Sequence, residues 1–434
     1  MKSDTESRFF STSTAAAIII ANMVGTGVFT SLGFQLEGID STFVLLMLWV
    51  AGGVAAICGA LSYAELGATF PRSGGEYNFL KEIYHPSAGF VSGWISATIG
   101  FAAPTALAAI TFGTYLNAVF PQLPATPLAC ILVVVLAVIH GSNHKNSGGM
   151  QAIFTYLKIG FIVGFSALAL ALNQQNSVAE VVPVAADVPV MLSGTFAVSL
   201  IYVSYAYSGW NAATYISSEL ERPKSQLPVV LIGGTAIVCA MYVLLNFVFL
   251  SVAPREALVG KLEVGYIAAT YVFGDIGASI MGIAMAMLLI STVSAMIIAA
   301  PRVLHAIGED FPAFRFLGEL NRNGVPTRAI YTQSAITIFF IATGTFESIL
   351  VFAGFTMALN TLFAVLGLMI HRWSKPDHPR PYKAWGYPFT PLIFLMLTGW
   401  TLAFILIERP QEALFGLAII AAGFGIYIGA RRIG

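Results

Sequence analysis

Apolar residues run through this chain in long stretches rather than at helical or strand spacing. Twelve recur, at roughly 13–33, 41–68, 87–118, 126–140, 149–172, 191–218, 227–253, 276–304, 328–344, 348–371, 387–407 and 411–430. A helix needs about 20 such residues to cross a bilayer, whereas a barrel strand needs about 9–11. The pattern therefore predicts an all-α polytopic membrane protein with twelve transmembrane helices. The segment 263–274, EVGYIAATYVFG, reads as a short helix outside the membrane. Two of the spans carry polar and glycine residues at mid-depth. The first, TSTAAAIIIANMVGTGVFTSLGF, holds Gly25-Thr26-Gly27 just after Asn22. The sixth, residues 191–218, holds Ser204-Tyr205-Ala206-Tyr207-Ser208-Gly209-Trp210-Asn211 at its centre. A lone glycine pair in a membrane helix is ordinarily a close-packing patch. A second interruption at the matching place reverses that reading. Broken helices at corresponding positions of two halves mark a carrier's central site. Spans 1–5 and 6–10 then form two halves of opposite orientation, a 5+5 inverted repeat with broken first and sixth helices. Spans 11 and 12 fall outside it.

Composition sharpens the membrane reading. The chain is 57% hydrophobic and 10% charged, with a mean hydropathy of +0.81. Net charge is zero and points to no partner; nucleic acid in particular is not expected. The six histidines and three cysteines (Cys58, Cys130, Cys239) have no metal-ligand spacing, so no metal or cofactor is expected. The cysteines all fall within apolar spans, which argues against a structural disulfide. No cleavable signal peptide is evident. Orientation follows from lysine and arginine placement. With the N-terminus inside, 17 of the 21 lie in inner segments, Arg255, Lys261 and Arg409 lie in outer loops, and Lys158 lies within a span. Both termini are thus expected in the cytoplasm, with the chain in the plasma (inner) membrane. The chain divides into a cytoplasmic tail (1–12), a first repeat (13–172), an outer loop (173–190), a second repeat (191–371), a cytoplasmic loop (372–386), two further spans (387–430) and a short tail (431–434).

The breaks carry the candidate chemistry. An outer half-helix starting near Gly27 bares amide N–H groups at its positive end, and one ending near Tyr205 to Ser208 bares carbonyl oxygens at its negative end. Donors on one wall and acceptors on the facing wall suit a zwitterion, as in a free amino acid. Backbone binding leaves selectivity to a side-chain pocket, for which Tyr205, Tyr207, Trp210, Asn211, Phe101, Ala103 and Pro104 are candidates. Ordinary core packing is the competing reading for the aromatics. Lys158, in QAIFTYLKIGFIVGF, is too deep to snorkel easily and costs at least ~2.5–3.5 kcal/mol if charged and unpaired. The carbonyls near Ala21 and Val24 are its natural acceptors, with Ser291, Thr292 and Ser294 as helpers. A lysine reaching the cytoplasmic face is the alternative. Glu65, Arg72, Glu219 and Arg222 are candidates for a cytoplasmic ion-pair latch. Glu65, Glu76, Glu219 and Glu221 beside Arg72, Arg222 and Lys224 otherwise read as solvated surface charges, and Asn360 as a satisfied core polar group.

Four motifs in order resemble the amino acid–polyamine–organocation (APC) superfamily, most closely its L-type amino acid transporter-like branch. They are Gly25-Thr26-Gly27-Val28-Phe29; Leu61 to Gly67 (LSYAELG) with Pro71 to Tyr77 (PRSGGEY); Tyr205 to Asn211 (YAYSGWN); and Glu219 to Pro228 (ELERPKSQLP). The resemblance covers spans 1–10 and extends over the whole chain. It implies the LeuT-like form of the 5+5 repeat. It also implies carboxylate contacts at Thr26, Gly27 and Val28, and ammonium contacts to carbonyls of Met23, Tyr205 and Ser208. Tyr205 occupies the place of an aromatic gate, where phenylalanine is common. Lys158, by the same resemblance, replaces the cation of sodium-coupled relatives.

The function expected is sodium-independent secondary transport of neutral L-amino acids by alternating access, as exchanger, uniporter or proton symporter. A cationic amino acid or polyamine antiporter of the same fold is the alternative, but the acid that a cationic side chain would want is not seen. A channel would need a continuous polar path, and a sensor a soluble domain larger than these loops allow. An enzyme is not expected, since no nucleophile–base set or phosphate loop is present. The expected partners are the amino acid and the lipid bilayer; no soluble protein partner is evident.

Overall fold

The computed structural model describes residues 11–72, 74–142, 147–173 and 181–433. Among them no strand forms. The first apolar stretch is two helices, α1 (Thr12–Met23) and α2 (Gly27–Gln35). There follow α3 (Thr42–Thr69), the short α4 (Glu76–Ile83) and α5 (Pro86–Ile95). A π-helical turn (Ser96–Gly100) leads into α6 (Ala102–Val119), then α7 (Ala125–Ser142), α8 (Ser147–Ala171) and α9 (Asp187–Met191). α10 (Gly194–Tyr207) gives way to a 3-10 helix (Ala212–Glu219). The rest is α11 (Pro223–Val252), α12 (Arg255–Leu258), α13 (Val264–Ala299), α14 (Pro301–Asp310), a 3-10 turn (Pro312–Leu317), α15 (Thr327–Thr343), α16 (Phe346–Ser374), α17 (Phe389–Glu408) and α18 (Pro410–Ile433).

Ten helical stretches among the described residues are long and apolar enough to cross a membrane. Two of the twelve expected spans fall short. α15 has 17 residues. α10 has 14 residues, and at 1.5 Å per residue it is about 21 Å long, against a hydrocarbon core of about 30 Å. It stops early because the chain unwinds at Ser208. Segment 263–274 is the first part of α13, set off by Gly274 at φ 68°, ψ −172°.

Some helix starts are capped by hydroxyls. Ser41 accepts from the N–H of Val44 at 3.3 Å, Ser193 accepts from that of Phe196 at 3.3 Å, and Thr345 and Ser348 form a capping box at α16. Each such cap stabilises by about 1 kcal/mol. The largest buried cluster draws on α1, α2, α3, α10, α11 and α13, with Trp49, Tyr63, Tyr115, Tyr207 and Tyr242 among its largest side chains. Apolar residues also face outward, Ile131, Val135 and Val138 on α7 and Ile276, Ile280 and Met287 on α13. Such a surface suits lipid, since hydrocarbon does not penalise it.

Two faces of the bundle can be told apart. At one, Gly260 N–H donates to the Gly33 carbonyl at 2.9 Å, and Arg255 bonds the carbonyls of Leu36 and Ile39. The loop after α11 thus covers the end of α2. At the other, Gln226 Nε2 donates to Thr12 Oγ1 at 3.1 Å, joining the starts of α11 and α1.

Candidate functional site at the two helix breaks

α1 ends in a tight turn. The N–H of Val24 donates to the Ile20 carbonyl and that of Gly25 to the Met23 carbonyl, both at 2.8 Å, with Val24 at φ −74°, ψ 80°. That is an inverse γ-turn, and it cuts the helical ladder. When α2 resumes, its first bonds run to Thr26 O, from Phe29 N–H at 2.9 Å and from Thr30 Oγ1 at 3.1 Å. The N–H groups of Thr26, Gly27 and Val28 have no hydrogen-bond partner among the described residues. They stand at the positive end of α2.

α10 ends in a comparable way. Ser208 leaves helical geometry at φ −55°, ψ 149°, its N–H donating to Tyr205 O at 2.9 Å. Gly209 follows at φ 97°, a left-handed conformation that favours glycine. The two breaks touch. A Cβ on Gly27 would lie 2.5 Å from Ala206 Cα, and one on Gly209 would lie 2.9 Å from the Asn22 carbonyl. Tyr205 is buried, with its hydroxyl beside that of Thr26. Ala103 joins it in one apolar cluster with Ile99 and Leu107. Pro104 is buried and Phe101 half-buried at the end of the π turn. That turn was not visible in the sequence. With its amide oriented to suit, Gln333 donates to Ala97 O at 2.7 Å and accepts from Ala102 N–H at 2.8 Å, filling groups the turn leaves free.

Other sequence candidates sit differently from expectation. The Met23 carbonyl accepts from Tyr242 Oη at 2.5 Å and from the Gly25 N–H at 2.8 Å, so both of its lone pairs are already used. Tyr207 packs on Trp49 and Tyr242 and donates to Trp49 O at 3.1 Å. Trp210 packs edge-on against Tyr63 at 4.7 Å. Both rings serve the contact with α3. Asn211 is half-buried and donates to the carboxylate of Glu76.

Lys158 is 5% exposed, and its Nζ donates to Thr292 Oγ1 at 2.9 Å. The acceptor is therefore the α13 hydroxyl and not the carbonyl of Ala21 or Val24. Lysine and break still share a small cavity lined by Val24, Gly25, Phe29, Lys158, Met285 and Thr292. Ser291 is buried. Ser294 is turned to His140 Nε2, 2.8 Å away on α7, rather than to the lysine.

Among the described residues, Glu65 pairs with neither Arg72 nor Arg222. Glu65 is fully buried and takes Arg372 at both oxygens, with Arg380 Nε 3.6 Å away. The N–H of Ala384 also donates to it, at 2.6 Å. Arg72 and Arg222 are exposed and form no ion pair among the described residues. The side chain of Glu219 lies outside the described residues. Glu76, grouped with surface charges by sequence, is 1% exposed and accepts from Tyr63, Asn211 and Tyr215. The signal for it was the preceding Gly74-Gly75, whose φ values of 125° and 53° turn the loop inward.

Comparison with known proteins bears on the whole chain. The amino acid permease family model matches residues 10–428. Large neutral amino acids transporter small subunit 2 of Rattus norvegicus is 28% identical over 434 residues, covering 95% of this chain and 79% of the relative. Asc-type amino acid transporter 1 of Mus musculus is 27% identical, covering 95% and 79%. The cystine/glutamate transporter of Homo sapiens is 26% identical, covering 95% and 83%.

Proposed function

Since the chain belongs to the amino acid permease family, we propose that it is a sodium-independent secondary carrier of neutral L-amino acids that works by alternating access. One observation carries the reading: the unpartnered amides of Thr26, Gly27 and Val28 lie at a break that touches a second break, where α10 ends at Tyr207. The amides suit the substrate carboxylate. The carbonyls of Tyr205 and Ser208 suit its ammonium; that of Met23, with both lone pairs filled, does not. Tyr205 and Ala103 flank the position of the side chain, with Phe101 and Pro104 beside them.

On this reading the short α10 and α15 complete twelve crossings in a LeuT-like 5+5 inverted repeat, and the face carrying the start of α1 is cytoplasmic. The excess of lysine and arginine on that side supports the orientation. Lys158, bonded to Thr292 beside the first break, takes the place of a bound cation, which is why sodium is not required. A carrier of cationic amino acids or polyamines would need a free acid at the pocket. The acid bonded to Asn211 is Glu76, whose two oxygens already accept three bonds. The name of one relative, a large neutral amino acids transporter small subunit, leans the same way.

Counterflow into proteoliposomes, with a panel of twenty amino acids, tests the proposal. Neutral L-amino acids should exchange at the same rate with sodium present or replaced by choline. Exchange confined to lysine, arginine or polyamines, or an absolute need for sodium, would overturn it.

A further inference from the structure

Glu76 has no place in the carrier scheme so far, yet its surroundings are unusual. It is 1% exposed and has no cationic partner among the described residues. A buried carboxylate without a counter-ion is costly unless its lone pairs are filled. Here they are. Oε1 accepts from Tyr63 Oη at 2.9 Å and from Asn211 Nδ2, and Oε2 accepts from Tyr215 Oη at 2.5 Å. The three donors come from three places: α3, the break after α10, and the 3-10 helix that follows it.

An ionised carboxylate only accepts. It therefore dictates that Asn211 shows it nitrogen and that both tyrosines donate. The loop before Glu76 is pressed into the same contact, since a Cβ on Gly75 would lie 2.9 Å from the Tyr215 ring and 3.1 Å from Thr214 Oγ1. The 3-10 helix has weaker internal bonding than an α-helix and depends on such outside support. It leads to α11, whose start is bonded to Thr12, so it lies between the breaks and the face carrying the start of α1.

We propose that Glu76 is a positioning residue of the carrier: it sets the amide of Asn211 at the edge of the site and ties the chain after the second break to α3, shutting the path toward the face that carries the start of α1. The path opens when the bonds to Asn211 and Tyr215 part together, while Tyr63 keeps its own. Glu76 thereby takes the role that sequence reasoning gave to pairs of Glu65, Arg72, Glu219 and Arg222. The proposal rests on the carrier reading for its purpose, though not for its test.

The test uses the full chain with Cys58, Cys130 and Cys239 replaced by alanine and Ser96→Cys as reporter, because Ser96 is 8% exposed and neighbours the Tyr215 hydroxyl. A membrane-impermeant thiol reagent is applied to each face in turn, using vesicles of both orientations. Loss of a hydrogen bond to a charged group should raise labelling by about ten-fold or more in Tyr215→Phe and Glu76→Ala. The rise should come only from the face carrying the start of α1. Glu76→Gln, which keeps one accepting oxygen, should fall between them and the parent, and should raise KM for exchange through the misplaced Asn211. Should Glu76→Ala fail to fold, Tyr215→Phe decides, since it removes one hydroxyl and keeps the ring. Labelling of Tyr215→Phe at the parental rate, or an equal rise from both faces, would overturn the proposal. The labelling needs no substrate, so a chain that exchanged no amino acid would sink the carrier reading and leave this result standing by itself.

Discussion

Two glycines do work that no other residue could do without strain. Gly27 lets α2 begin against the backbone of Ala206, and Gly209 turns the chain at φ 97° against Asn22. Gly27→Ala would force a methyl into a gap of 2.5 Å beside Ala206 Cα, an overpacking that costs about 1–3 kcal/mol. The cost falls at the site, so thermal unfolding should shift down modestly while exchange is lost; full exchange in Gly27→Ala would mean the breaks need not touch. Lys158 makes a second residue-scale case. Lys158→Met keeps the bulk but removes the donor to Thr292, and it should abolish exchange in a folded protein. Thr292→Val removes one hydrogen bond, worth about 1 kcal/mol, and should slow exchange several-fold without stopping it. Equal exchange rates in Lys158→Met and the parent would remove the lysine from the mechanism.

At the scale of elements, the breaks were legible because glycine and polar residues interrupt otherwise continuous apolar runs, and that signal is local. The rest was not local. Glu65 finds Arg372 a full 307 residues away, and nothing near Glu65 in the chain announces it; the nearby Arg72 drew the expectation instead. The π turn at Ser96–Gly100 lacks a glycine–proline signature at its start and is held by Gln333 from α15. Thr292 was named only as a helper to backbone carbonyls, because depth alone cannot tell which helix faces a lysine. That Ala212–Glu219, beyond the second break, winds as a 3-10 helix was likewise not legible. The Glu65 contact makes its own prediction. Its partners Arg372, Arg380 and Ala384 fasten the last turn of α16 and the segment after it onto α3. Removing one partner of a buried pair costs about 3–5 kcal/mol, so Arg372→Ala should lower the unfolding temperature far more than Arg72→Ala. Similar temperatures for the two variants would show that the pair carries little of the fold's stability.

For the whole molecule, the proposed site lies between two clusters of different chemistry, each proposed to close one side. Toward the end of α2, Phe34 stacks on Tyr202 and Phe346 at 5.8 and 5.9 Å. Tyr202 Oη also donates to Glu347 at 2.7 Å, and Glu347 is paired with Arg409. Toward the start of α1, the closure is the Glu76 cluster. An aromatic stack on one side and a buried carboxylate on the other can be loosened separately, which alternating access requires. The central claim remains that the backbone at the two breaks, not a side chain, holds both charged ends of an amino acid. It is tested most directly by measuring displacement of a bound neutral L-amino acid by two analogues, the amine lacking the α-carboxylate and the acid lacking the α-ammonium. Each loses the partners of one wall and should bind at least about 100-fold more weakly than the parent amino acid. Displacement by either analogue within a few-fold of the amino acid would contradict the account.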